Sequence, residues 1–143
     1  MKIGEEKLAT PILGVREILE PLPVSPVANT IDFFKGVINV RGEVIGVIDL
    51  REKFKQPTKM IGVFVIVDDP SGPVAYVIDE VAKVEEILPV AIKSDIKIQH
   101  GGHHDYFRGV VKIREELVSV IDFHKLFDSK ESVEFKKLKS AAA

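Results

Sequence analysis

Cysteine and tryptophan are both absent from this chain. Without cysteine there is no disulfide framework and no zinc-thiolate site. Tyrosine occurs twice against eight phenylalanines, so the aromatic residues read as core filler and not as a base-stacking platform. Charge of one sign is lacking too. A formal net charge of −2 gives no electrostatic drive toward nucleic acid or an anionic membrane surface. No apolar run approaches the ~18–20 residues that span a bilayer. The start, "MKIGEEKLATP", has no apolar stretch of the secretory kind, which leads to the expectation of a cytoplasmic protein without membrane insertion.

What is present is an ordinary globular composition, 45% hydrophobic and 29% charged. At 143 residues it suffices for one good core or two small ones leaning together. Short β-type runs dominate. "VFVIVDDPSGPVAYVID" reads as two strands about a turn at Asp69-Pro70-Ser71-Gly72. "GVINVRGEVIGVIDL" and "GVVKIREELVSVIDF" read as two more hairpins. Only "GVREILE", "LREKFK" and "HKLFDSKESVEFKKLK" allow short helices. Pro21, Pro23 and Pro26 keep the connector between them extended.

Two of these hairpins are the same segment written twice. Asp32 to Phe54 aligns without a gap on Asp105 to Phe127, at an offset of 73, with ten identical positions. Gly36/Gly109 and Asp49/Asp122 stay in register, which implies a duplicated structural unit. A weaker match at an offset of 66 sets "LATPILGVREI" on "VAYVIDEVAKV". Each half then reads as strand, turn, strand, connector, hairpin and helical turn. The first half has only Met1, Lys2 and Ile3 where the second has a full strand from Met60 to Asp68. An uncovered neighbouring edge would be an aggregation liability.

Within the repeat, Ile38 and Val40 match Val111 and Ile113 on one face, while Asn39 and Arg41 match Lys112 and Arg114 on the other. A period of two makes the first face buried and the second wet. The return strands, Val44 to Ile48 and Leu117 to Ile121, are apolar on both faces and are expected to lie deep. Gly36 and Gly109 permit a bend or close packing ahead of each strand. Gly42 suits a two-residue turn with positive φ, whereas Glu115 in its place predicts a different second turn.

The duplicated Asp admits two readings. Two related halves with one Asp each suggest a two-lobed aspartyl hydrolase built on Asp49 and Asp122, whose carboxylates would share a proton. That chemistry needs a small hydroxyl residue and a Gly after each Asp, but Leu50 and Phe123 follow here. Capping explains more. Asp49 precedes "LREKF", with Glu52 completing a capping box, and Asp122 precedes "FHKLF". His100, His103 and His104 could ligate a metal, yet the loop around them reads as solvated, and no metal or cofactor is expected. A serine with His124 lacks any nucleophile elbow. There is no P-loop and no dinucleotide-binding glycine pattern.

The segments "ILGVREIL", "FFKGVINVRGEVIGVIDLREKF", "YVIDEVAKV" and "YFRGVVKI…VSVIDFHKLF" together resemble the CheW family of chemosensory adaptors, in family order and over nearly the whole chain. Gly46 stands where the family commonly has Pro, and the start is short of the usual first strand. The resemblance implies an all-β fold of two SH3-like five-stranded antiparallel barrels sharing a core, with short helices. Residues 1–143 would form one domain: the first barrel mainly from about 15–84, the second mainly from about 85–127 plus an exchanged N-terminal strand, and 128–143 a C-terminal helix or tail.

The resemblance further implies a non-enzymatic adaptor, monomeric alone and assembled in membrane-proximal receptor arrays. It would bridge chemoreceptor cytoplasmic tips to the regulatory domain of the histidine kinase CheA. The receptor helix would lie between the barrels, and the first barrel would pair with the kinase. By residue match Val15, Glu17 and Arg41 would face the receptor, and the turn Asn39, Arg41 and Gly42 would couple to the kinase. The alternative is a CheW-like domain excised from CheV or from CheA. Plain core packing for Val15, a solvated charge for Glu17 and ordinary hairpin structure for Arg41 stand beside these roles.

Overall fold

Alternation of β-branched residues around tight turns builds nearly all of the regular structure. The structure, a computed structural model, describes residues 1–28, 32–58, 62–82, 84, 86, 91–93 and 106–126. In chain order the elements are β1 (Lys2–Ile3), β2 (Glu6–Ala9), β3 (Val15–Leu19), β4 (Phe34–Val40), β5 (Glu43–Asp49), α1 (Leu50–Lys53), β6 (Val63–Asp69), β7 (Gly72–Ile78), β8 (Phe107–Ile113) and β9 (Glu116–Ile121), followed by a 3-10 turn at Phe123–Lys125. The segment "VREIL" is a strand and not the short helix its length allowed. The expected C-terminal helix, Phe127 and the histidine loop lie outside the described residues.

Two sheets form, in the orders β3-β6-β7-β5-β4 and β1-β2-β9-β8. The N-terminal strands join the C-terminal hairpin, and β6–β7 joins the first hairpin, so the two repeated units exchange strands. Backbone register shows that the crossing is symmetric. Val47 faces Ala75 across the β5–β7 pairing, and Val120 faces Ala9 across β9–β2. Both pairings are parallel, a correction to the all-antiparallel expectation at one place in each sheet. The offset of 73 relates the hairpins and the offset of 66 relates their partners. Even single hydrogen bonds obey it: Asp68 N donates to Gly14 O at 2.7 Å, and Lys2 N donates to Glu80 O at 2.9 Å. Among the described residues the second sheet has four strands, its fifth place marked only by the Lys2–Glu80 bridge.

The core is shared between the sheets. Ile48, Val65, Tyr76 and Ile78 of the first pack in one cluster with Ile3, Leu8, Ile121 and Phe123 of the second. The Tyr76 and Phe123 rings stack with centroids 4.8 Å apart, and burial pushes the Tyr76 hydroxyl's pKa far up. Ile38, Val40, Ile45 and Val47 fill the inside of the first barrel, whereas Val111, Val118 and Val120 line the second. The return strands are not buried throughout. Val44 and Leu117 at their outer ends are 37% and 70% exposed, because each follows the turn and overhangs its barrel.

Gly36 is a glycine the fold cannot replace easily. Its φ is +134°, and a Cβ there would stand 2.0 Å from Ser25 O. Removing that atom lets Ser25 pair with Val37 through two 2.9 Å hydrogen bonds along the outside of β4. Lys93 and Val110 repeat the arrangement beside Gly109.

Candidate interaction site

The β4–β5 turn is held from within. Asn39 Oδ1 accepts the Gly42 N–H at 2.9 Å, and Arg41 and Gly42 adopt φ values of +50° and +85°. Two positive φ values in a two-residue loop match the right-handed twist of the strands. The second turn has the same geometry, with Arg114 at +48° and Glu115 at +66°. The expected difference is therefore corrected: strand twist dictates the turn, and Glu115 tolerates a backbone region that glycine would occupy with less strain.

From this turn Arg41 Nη2 reaches Glu17 on β3, donating to Oε1 at 2.7 Å and Oε2 at 2.6 Å. Arg16 makes the neighbouring link, at 3.1 Å from Glu43 Oε2 and 2.9 Å (from Nε) to Asp68 Oδ1. The Asp68 hydrogen bond raises the Arg16 pKa above its ordinary value. β3 and β4 stand at opposite ends of the first sheet's strand order, so the Arg41–Glu17 and Arg16–Glu43 pairs reach from β3 to the β4–β5 hairpin across the barrel rim, while Asp68 lies on β6, the neighbour of β3. Glu17, Asn39, Arg41 and Gly42 are thus brought together. Arg16, Glu43 and Asp68 belong to the same cluster and were missed by sequence reasoning. The retention of Glu43 as Glu116 was the only signal available.

Val15 is not part of this cluster. A register shift between Val15 and Glu17 turns Val15 inward, where it packs against the shared core, while Glu17 faces the rim. Beyond it Ile12, Leu13 and Ile18 are exposed at 59%, 87% and 49%. They form an apolar shoulder beside a groove of about 680 Å³ between the sheets.

The duplicated aspartates both occupy helix N-termini. Asp49 Oδ1 accepts the Arg51 N–H at 3.0 Å, and its carboxylate also takes a two-pronged contact from the buried Arg51 guanidinium, Nε and Nη2 each at 3.0 Å. That hydrogen bond raises the Arg51 pKa, and Asp79 adds a second partner at 3.2 Å. Glu52 does not complete the capping box in the way expected; it pairs with Lys35. Asp122 accepts the His124 N–H at 2.9 Å and a 3.1 Å contact from Arg108. Each carboxylate is engaged by its own helical turn and its own arginine, an arrangement unlike a proton-sharing dyad.

His124 Nδ1 lies 3.6 Å from Asp69 Oδ2, while Ser71 Oγ donates to Asp69 Oδ1 at 2.6 Å. The carboxylate stands between hydroxyl and imidazole, so the imidazole is not placed to take the serine proton. Among the described residues no group of three His, Asp or Glu could hold a metal ion, and no helix is long and apolar enough to cross a membrane. His100, His103 and His104 lie outside the described residues.

Two repeat-related barrels with a common core, an exposed charged rim and an apolar shoulder define an all-β domain of two β-barrels. The family model described as "CheW-like domain" matches residues 1–131, and the chain belongs to the CheW family. It is 30% identical over 137 residues to the chemotaxis protein CheW of Treponema pallidum, covering 91% of this chain and 81% of that one. It is 31% identical over 132 residues to the chemotaxis protein CheW of Klebsiella aerogenes, covering 90% and 80%. The crystal structure of the scaffolding protein TtCheW from Thermoanaerobacter tengcongensis superposes with a TM-score of 0.80 at 23% identity, over 91% of this chain and 90% of that one. That likeness concerns the fold.

Proposed function

We propose that the protein is a non-enzymatic adaptor that couples the cytoplasmic tips of chemoreceptors to the histidine kinase CheA in a cytoplasmic array. The observation that carries this reading is the family match over residues 1–131. The rim supports it: the Asn39–Gly42 turn of the β4–β5 hairpin and Glu17 of β3 are held together by the Arg41–Glu17 pair. Receptor contact falls to the Val15, Glu17 and Arg41 side, where Ile12, Leu13 and Ile18 offer apolar anchors to an amphipathic helix. Kinase coupling falls to Asn39, Arg41 and Gly42.

The test is co-sedimentation of the purified chain with receptor signalling fragments and CheA, read together with kinase autophosphorylation. Joint binding and a change in autophosphorylation are expected, and both weaken in Arg41→Ala. A chain that binds neither partner removes the proposal. A CheV or CheA origin would keep the binding and differ only in what the surrounding gene encodes.

A further inference from the structure

The duplication creates two equivalent junctions between the halves, and their residues differ. At the first, the β1–β2 turn of the second sheet meets the end of α1. Asp79, directly after β7, stands between them with its side chain 11% exposed. Its Oδ2 accepts the Gly4 N–H at 2.6 Å, and its Oδ1 accepts Arg51 Nη1 at 3.2 Å. One carboxylate thus spans both sheets. The Asp79 N–H also donates to Lys2 O at 3.0 Å, while the Lys2 N–H donates to Glu80 O at 2.9 Å. Gly4 has a φ of +58°, and a Cβ there would stand 2.4 Å from Gln56 Oε1, so the turn lies hard against the chain leaving α1.

The second junction lacks every part of this tie. The offset of 66 sets Pro70 at the place of Gly4 and Leu13 at that of Asp79, and the offset of 73 sets His124 at that of Arg51. Proline has no N–H to give and leucine no carboxylate to receive one. What stands there is the 3.6 Å approach of His124 Nδ1 to Asp69 Oδ2, with the imidazole 43% exposed. The fold therefore closes one of its two junctions without a buried carboxylate. Burying Asp49, Arg51 and Asp79 together carries a desolvation cost, so stability gives weak reason for the tie.

What the tie does fix is a wall of the groove between the sheets. Lys2, Glu80, Val81 and Ala82 line that groove together with Ile18 of β3 and Val118 of β9. Lys2 and Glu80 are the residues that the Asp79 backbone and its neighbouring bonds hold to each other. We infer that Asp79 is the positioning residue of this groove: its carboxylate anchors the β1–β2 turn to Arg51 and so sets where the 80–82 wall stands relative to β3. The inference rests on the reading that a receptor helix binds along the groove and its apolar shoulder. A wall fixed in advance lowers the ordering cost of binding. Asp79 touches no partner itself and acts through the wall. The Asn39–Gly42 turn is separated from Asp49 and Arg51 by the whole length of β5, so kinase coupling is not under its control.

The chain has no cysteine, so Ile18→Cys and Ala82→Cys, both at exposed positions of the groove lining, take spin labels without competition. A single narrow distance distribution is expected between them. Asp79→Asn keeps the side chain's shape and leaves Arg51 to Asp49, and it should broaden that distribution. In unlabelled protein the same change should weaken binding of a receptor signalling fragment at least fivefold, while CheA binding changes less than twofold. Asp122→Ala, which removes a cap at the second junction, should alter neither the distance nor either affinity, so lost stability alone does not produce the split. An unchanged distribution in folded Asp79→Asn overturns the inference, as does unchanged receptor affinity or an equal loss of receptor and kinase binding. If the unaltered protein binds no receptor fragment, the proposed coupling fails, and the distance distributions still decide whether Asp79 places the wall. Should Asp79→Asn not fold, hydrogen exchange of the unaltered protein decides instead. The Gly4 amide should then exchange as slowly as the paired amides of β6 and β7, and rapid exchange at Gly4 overturns the inference.

Discussion

Arg41 Nη2 lies 2.7 and 2.6 Å from the two carboxylate oxygens of Glu17, linking the β4–β5 turn to β3 across the mouth of the first barrel. The two residues are 24 positions apart in sequence and at opposite ends of the sheet order. The Arg41 side chain is 68% exposed, so solvent screens the pair, and such pairs contribute about 0.2–1 kcal/mol. Fold stability alone gives little reason for this geometry.

Loss of the pair should accordingly separate binding from stability. Glu17→Ala and Arg41→Ala are each expected to cost less than about 1 kcal/mol in urea unfolding. Co-sedimentation with receptor and kinase should fall clearly in both. The exchanged variant, Glu17→Arg with Arg41→Glu, should recover stability and not binding. Recovery of both would show that the pair acts only as a strut.

The two capping aspartates should differ in weight. Asp49 and Arg51 are buried together at 5% and 6% exposure, and breaking a buried pair strands the remaining charge. Asp49→Ala is expected to cost about 3 kcal/mol or more, with Asp79 retaining part of the arginine's neutralisation. Asp122 pairs with an arginine that is 53% exposed, so Asp122→Ala should cost about 1 kcal/mol, the worth of a cap. Chemical denaturation of both variants checks this, and equal losses would contradict it.

Acid should destabilise the protein partly through Asp69. Burial pushes its pKa upward, but hydrogen bonds from Ser71 Oγ and N, with His124 nearby, outweigh burial and bring it below 3.8. A group with a depressed folded pKa adds stability above its unfolded value, and that stability disappears as pH falls through the folded value. The loss attributable to Asp69 therefore begins near pH 4 and grows below it. Unfolding free energies measured between pH 2 and 6 should show a flatter acid limb in Asp69→Asn. An unchanged slope would remove Asp69 from the account.

How much of this was legible depends on what alternation can encode. The period of two identified the buried faces of β4 and β8, because Ile38 and Val111 cannot face water without cost. Repetition fixed Gly36 and Gly109 as places of close approach before any neighbour was known. Alternation says nothing about which strand lies alongside, so the joining of β2 to the C-terminal hairpin was expected from the family resemblance alone. "VREIL" was ambiguous because five residues fit a helical turn or a strand, and its pairing with β6 decided between them. The Arg41–Glu17 contact joins residues whose partnership only the curl of the sheet creates.

The turn residues themselves provide a last separation of structure from function. Both two-residue loops have positive φ throughout, but the first has glycine at its second position and the second has Glu115 at +66°. Glycine enters this region without a Cβ penalty, while its extra freedom in the unfolded chain offsets part of the gain. Glu115→Gly is therefore expected to stabilise by about 0.5 kcal/mol, even though it removes the exposed contact between Lys112 and Glu115. Gly42→Glu should destabilise by a similar amount, since a Cβ at Gly42 has nothing within 4 Å to strike and only backbone strain opposes it. Thermal melts of the two variants check both signs; a lower melting temperature for Glu115→Gly would refute the strain argument. Gly42→Glu should also weaken kinase coupling more than its small stability loss explains, because the turn it alters is the one that sits beside Arg41 and Glu17. Normal coupling in a folded Gly42→Glu protein would move the kinase contact away from this turn.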